Sequence, residues 1–201
     1  ALAKPAVSKR SVLPVVLVLL LAVVGRIIIA VTIEGYPTDI SCFKSWSAMA
    51  FEGGLSNFYF SEAFTDYPPG YMYVLWLAGA LQKLFGLAYE SAGFTLLIKL
   101  PAILCDVVTG YFIYRLFEKR TNHTLALCLS FLYLINPAVI SNSSAWGQVD
   151  SVFTLFVVLY IYYICEKKLV LACIFYTIGF LIKPQTVIFT PILLLYLYQM
   201  L

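Results

Sequence analysis

The fold class predicted by this chain is an all-α integral membrane protein. Hydrophobic residues fill 62% of its 201 positions and charged ones 11%, and the mean hydropathy is +0.93. A soluble domain of this length cannot hide so much apolar surface, so the bilayer must act as solvent. Residues 12–33 form one apolar run of full spanning length. The basic residues gather in clusters that flank such runs, as membrane-topology rules require.

The elements follow in order. Residues 12–33 are the first span, preceded by Lys4, Lys9 and Arg10. The run is too long for a signal-peptide core and lacks a small-residue cleavage site, so it reads as a retained helix. An acidic, aromatic stretch follows over 34–90. Further spans are expected at 94–117, 124–140, 151–165 and 169–182, with a sixth beginning at 187–201. A spanning helix needs about 20 apolar residues, so the shorter runs must borrow flanking residues. Residues 71–85 are apolar but short, and are bounded by Pro68-Pro69-Gly70 and Gly86. Laying that segment in the interface puts the N-terminal cluster, Arg115/Lys119/Arg120 and Lys167/Lys168 on one side, the cytoplasmic one. The reading is a single module over 1–201 with a first outer loop at 34–93, C-terminally incomplete.

Composition also excludes functions. A net charge of +3 with no basic run argues against nucleic acid as a partner. The five cysteines form no close pair and read as small buried hydrophobes. The single histidine, His123, cannot build a zinc site alone.

The topology brings three polar stretches to the outer face, and that convergence is the argument for a site. Asp39, just past the first span, is a candidate general base or a helix cap, with Thr38 able to cap in its place. Trp46 lies on the helix that follows. Tyr67-Pro68-Pro69-Gly70 reads as a corner feeding the interfacial helix, Pro68 and Pro69 fixing the backbone and Asp66 placed to cap it. Trp146-Gly147-Gln148-Val149-Asp150 offers ring stacking and planar hydrogen bonding of the kind that holds a sugar, or an interfacial anchor with a capping Asp150. Asp39 and Asp150 also offer hard oxygen ligands for a divalent ion, though two carboxylates are thin support and no metal site is favoured. Lys183, before Pro184-Gln185, suits a phosphate or snorkels to the interface. Within the spans, Lys99 and Asp106 stand seven residues apart on one helical face, and Arg26 falls at the depth of Asp106. An Arg26–Asp106 pair fixing the first two spans together is expected.

The ordered set of an early outer-loop Asp39, Tyr67-Pro68-Pro69, Trp146-Gly147-Gln148-Val149-Asp150-Ser151 and Lys183-Pro184-Gln185 resembles the GT-C superfamily of polyprenol-phosphate-sugar glycosyltransferases. Among these it looks most like bacterial proteins similar to the second mannosyltransferase of GPI-anchor assembly. The resemblance implies inverting transfer of a hexose, mannose or glucose, from a polyprenyl- or dolichyl-phosphate donor to a hydroxyl of a glycan or lipid acceptor. Transfer would take place on the outer or luminal face of a bacterial plasma membrane or endoplasmic reticulum. It further implies Asp39 as base, Trp146, Gln148, Asp150, Lys183 and Gln185 around the substrates, and no required cofactor; Trp46, Asp66 and Tyr67 of the first outer loop are further candidates for substrate binding. The competing reading is a transporter or scaffold subunit, with Arg26, Lys99 and Asp106 lining a pathway.

Overall fold

The computed structural model describes residues 12–60 and 63–200, and among these the regular structure is all helical. The basic residues Lys4, Lys9 and Arg10 lie outside the described residues. The protein is an all-α integral membrane protein, built on a helix bundle capped at one end by two further helices.

The bundle starts with α1 (Leu13–Thr32) and α4 (Ala92–Glu118), the two described helices long and apolar enough to cross a membrane. α1 opens on Pro14, whose missing N–H costs nothing in a first turn. α4 runs through Pro101 and buries Phe94, Ile98, Lys99, Asp106 and Tyr114, and packs against α1, α5 and α7. α5 (His123–Leu134) and α7 (Asp150–Cys165) complete this layer, and α8 (Leu169–Ile182) lies against α7. The 16 residues of α7 and 14 of α8 are apolar but shorter than the roughly 20 that cross a bilayer unaided.

The run 124–140 is not one straight span. It breaks at Asn136-Pro137, where Pro137 cannot donate to the preceding turn and the Asn136 side chain accepts from the Ala138 N–H at 2.9 Å. A short α6 (Pro137–Ile140) and a π-helical turn (Ser141–Trp146) continue after a 46° bend. The segment after 140 is therefore helical as far as Trp146. Towards the C-terminus, a 3-10 segment (Pro184–Phe189) leads into α9 (Thr190–Met200), which is 11 residues long.

The cap consists of α2 (Pro37–Glu52) and α3 (Pro69–Leu84). Both begin with proline, and the pair Pro68–Pro69 turns the chain into α3. The two helices meet where the Ser47 hydroxyl donates to the Leu75 carbonyl at 2.7 Å. α3 reaches α8 at Gly70, where a Cβ would stand 2.7 Å from the Leu181 carbonyl oxygen, so only glycine permits this approach. The largest core lies between cap and bundle and joins Phe43, Trp46, Tyr71, Leu75, Phe94, Ile98, Val152 and Ile182.

Deep in the bundle, Arg26 Nε donates to Asp106 Oδ2 at 3.2 Å, with both side chains almost fully buried. The Tyr133 hydroxyl donates to the other carboxylate oxygen at 3.1 Å. α1, α4 and α5 are thus joined by one buried polar cluster.

Candidate active site

Asp39 sits in the first turn of α2. Neither Thr38 nor Asp39 acts as a cap: the N-cap position is Tyr36, and no side chain closes that end. The carboxylate instead faces the turn after α6. Trp146 Nε1 donates to Asp39 Oδ2 at 2.7 Å, and Gln148 Nε2 donates to the same oxygen at 2.5 Å. These residues are 107 and 109 positions away in the chain. With Oδ2 anchored twice, Oδ1 is the oxygen left without a hydrogen bond among the described residues.

Gln148 carries the network onward, since its Oε1 accepts from the Tyr67 hydroxyl at 3.3 Å. Burial, then the carboxylates of Asp150, Asp66 and Asp39, raises the Tyr67 pKa above its ordinary value, so the phenol stays a donor. Its ring packs against Phe43, Trp46 and Tyr71. Trp46 belongs to this core and not to the substrate surface: it is 4% exposed, and its Nε1 donates to the Phe64 carbonyl at 2.9 Å. Its role is to hold Tyr67 and the loop before it.

Beyond Tyr67 lies the second charged group. Lys183 forms an ion pair with Asp150, whose other oxygen accepts from Asn142 Nδ2 at 3.1 Å. Lys183 Nζ stands 5.9 Å from the Tyr67 ring centre and 5.7 Å from that of Phe153. A cavity of about 510 Å³ opens here, lined by Asp66, Tyr67, Pro68, Lys183, Pro184 and Gln185. Asp66 and Gln185 are exposed on its rim. Asp66 does not cap α3, and Asp150, at the first position of α7, does not cap that helix.

The turn bearing Trp146 and Gln148 is held from below by Lys99. Its ammonium, completely buried, donates to the carbonyls of Ala30 (3.3 Å), Ile33 (2.6 Å), Ser144 (3.0 Å) and Ala145 (3.2 Å). These carbonyls end α1 and the π turn, where helices leave acceptors unpaired and their dipoles favour a cation. Lys99 therefore does not pair with Asp106, two turns along α4. Gly147 lies on top of its stem with φ +91°; a Cβ there would meet Ile40 Cδ1 at 2.6 Å and Lys99 Cγ at 3.3 Å. From above, the Tyr36 ring packs on Trp146 with centres 4.9 Å apart, and the Tyr36 N–H donates to the Trp146 carbonyl at 3.0 Å. Tyr36, Lys99, Asn142 and Gly147 thus shape the site although their types gave little hint of it. The available signal was a lysine inside an apolar span, which must find acceptors somewhere.

The site joins an oriented carboxylate, an exposed tryptophan, a phenol and a lysine beside an open cavity. The sequence profile of the family described as dolichyl-phosphate-mannose-protein mannosyltransferase matches residues 66–200. The chain belongs to this family. It is a GT-C membrane protein, as its motifs implied. The matched stretch takes in Tyr67, Trp146, Gln148, Asp150, Lys183 and Gln185 and begins after Asp39. GPI mannosyltransferase 1 of Candida albicans is 32% identical over 102 residues, covering 49% of this chain and 25% of that protein. GPI mannosyltransferase 1 of Dictyostelium discoideum is 33% identical over 103 residues, covering 49% and 23%. The chain thus spans about a quarter of the length of the curated relatives it matches. No solved structure matches it.

Proposed function

We propose that this site transfers mannose, with inversion, from a dolichyl- or polyprenyl-phosphate donor to a hydroxyl of a glycan or lipid acceptor. The carrying observation is the doubly anchored carboxylate of Asp39, its second oxygen open. The acceptor O–H gives its proton to Asp39 Oδ1 as its oxygen bonds to the sugar's C1. The C1–O bond to the phosphate breaks on the opposite face, and the lipid phosphate leaves with the electron pair. Lys183, beside the cavity, is the cation for that phosphate, exchanging part of its contact with Asp150 for the new anion. Trp146 and Gln148 supply the ring face and amide for the sugar. The reading uses proton abstraction by Asp39 alone and calls on no metal ion.

The end bearing Arg115, Lys119, Arg120, Lys167 and Lys168 faces the cytoplasm in this proposal, and the site faces the outer or luminal side. The transporter alternative loses its main support, because Arg26, Lys99 and Asp106 are each bonded within the bundle.

The test is transfer of radiolabelled mannose from a synthetic polyprenyl-phosphate-mannose by the protein in nanodiscs, with the glucose donor run in parallel. Asp39→Asn keeps the shape and removes the base, and general-base catalysis is worth roughly 10²–10⁴-fold. A loss in that range supports the assignment; more than about a tenth of parent activity overturns Asp39 as base.

A further inference from the structure

The bend at Asn136-Pro137 sits over a gap in the bundle wall. Ile135 and Ile140, on either side of it, both line a cavity of about 190 Å³ between α1 and α5. Leu21, Gly25, Ile29 and Phe131 form more of the wall. Leu21, Phe131 and Ile135 are exposed, so the mouth opens sideways toward the lipid. A Cβ on Gly25 would meet nothing within 4 Å, so no close approach demands glycine there, and a larger side chain would fill the room. Arg26 is the one polar side chain of the lining. It is 2% exposed. Asp106 holds its Nε, and its Nη1 reaches the Ala22 carbonyl only at 3.5 Å. Its Nη2 is buried and has no hydrogen bond among the described residues. Burying such a donor unpaired is costly, so the cavity offers one strong N–H group in a wall of carbon.

That lining decides what enters. A buried water needs about three polar partners, and these side chains supply one. An anion would meet the Asp106 carboxylate, which already matches the guanidinium charge. Ala22 stands near the middle of α1, so the guanidinium lies close to the bilayer centre, out of reach of phospholipid headgroups. What fits is a neutral molecule with an apolar body and one hydrogen-bond acceptor. A dry apolar cavity of about 150 Å³ takes up benzene, so this one has room for a ring and its substituent.

We infer that the cavity beside Arg26 binds a neutral, membrane-dissolved carbonyl compound with a ring-sized apolar body. The body enters from the lipid and lies against Gly25 and Phe131, and its carbonyl oxygen accepts from Arg26 Nη2. The cavity shares no lining residue with the Asp39 network, and occupancy does not depend on sugar transfer.

The test is photolabelling of the protein in nanodiscs by benzophenone, an aryl ketone that inserts into C–H bonds under ultraviolet light, with adducts mapped by peptide mass spectrometry. Adducts are expected to gather on Leu21, Ile29 and Phe131. The groove of Val170, Cys173 and Ile174 on α8, which has no charged donor, should be labelled much less. Acetophenone should displace the label. Ethylbenzene, a body of the same size without the oxygen, should do so roughly tenfold or more weakly, as befits a lost hydrogen bond to a charged donor. Benzoate should displace it least. Gly25→Leu fills the space and should abolish these adducts with the melting temperature kept. Removing Arg26 would strand Asp106, so the ketone–hydrocarbon comparison reads the guanidinium in the unaltered protein and decides the matter by itself. Labelling no denser at this cavity than on α8, equal displacement by ethylbenzene, preference for benzoate, or full labelling of Gly25→Leu each overturns the assignment.

Discussion

The two ends of the helix bundle both carry polar networks but are differently wired. At the end away from Asp39, contacts are mostly local. Tyr114 donates to Glu118 at 2.6 Å and lies 3.0 Å from His123 Nδ1, and Arg115 donates to the Tyr111 hydroxyl at 2.9 Å. Arg120 bonds the Leu116 carbonyl at 2.7 Å, and the long reach from Lys119 to Glu166 at 2.5 Å, beside the contact of Arg120 with the Cys165 carbonyl, lies in the open. At the Asp39 end the partners lie tens of positions apart, and one lysine binds the ends of two helices. Pairs that are short-range or exposed depend little on the packing of these helices and stabilise little. Long-range, half-buried pairs exist only when the whole bundle is assembled. A site built from them is therefore as precise as the fold beneath it.

That contrast can be broken from the interior outward. The largest effect on stability is expected from Arg26→Met or Asp106→Leu, each leaving a buried charge without its partner, at a cost of about 3–5 kcal/mol. Thermal unfolding in detergent should show a large drop for either single change. The reversed pair Arg26→Asp with Asp106→Arg should recover most of it; failure to recover would mean the two do not stabilise each other. A smaller effect is expected at Lys99→Met, which leaves buried carbonyls without a donor, at roughly 1–3 kcal/mol. Its signature is local: with Trp46 and Trp76 replaced by Phe, the emission of Trp146 should shift to the red as the turn loosens. An unchanged spectrum with a lowered melting point would make Lys99 a general staple and not a support of this turn.

The smallest effect is expected at the opposite end. The hydrogen bond from Lys119 holds the Glu166 carboxyl below its ordinary pKa. Its contribution to stability is therefore present above the unfolded-state pKa and lost as pH falls through the lower, folded value. Because the pair is exposed, Glu166→Gln should leave both the melting point at neutral pH and mannose transfer unchanged. A marked fall in transfer would erase the distinction between the two ends.

Legibility followed the same division. Composition and apolar runs identify α1 and α4 because an uninterrupted spanning run has few other uses. Pro68-Pro69 marks the start of α3 because its backbone is fixed by covalent geometry. The order of Asp39, Tyr67, Gln148 and Lys183 pointed to one face, and the structure brings these groups into one network. Trp46 was misread because an aromatic near an interface has the same signature whether it faces a substrate or packs in the core. The break at Asn136-Pro137 was hidden in an apolar run, where hydropathy registers composition and not direction. Lys99 was visible as a charge in a span, but its acceptors are backbone carbonyls, which every residue carries.

The sequence by itself determined that this protein lives in lipid, where its turns fall and which polar residues are too costly to be idle. These depend on transfer free energy and local backbone geometry, which act residue by residue. The tertiary structure alone decided that Asp39 meets Trp146 and Gln148, that Lys99 serves two helix ends, and that Arg26 lines a cavity beside its pair with Asp106. Those arrangements depend on helix packing, and the alignment of groups a hundred residues apart is written in no local pattern.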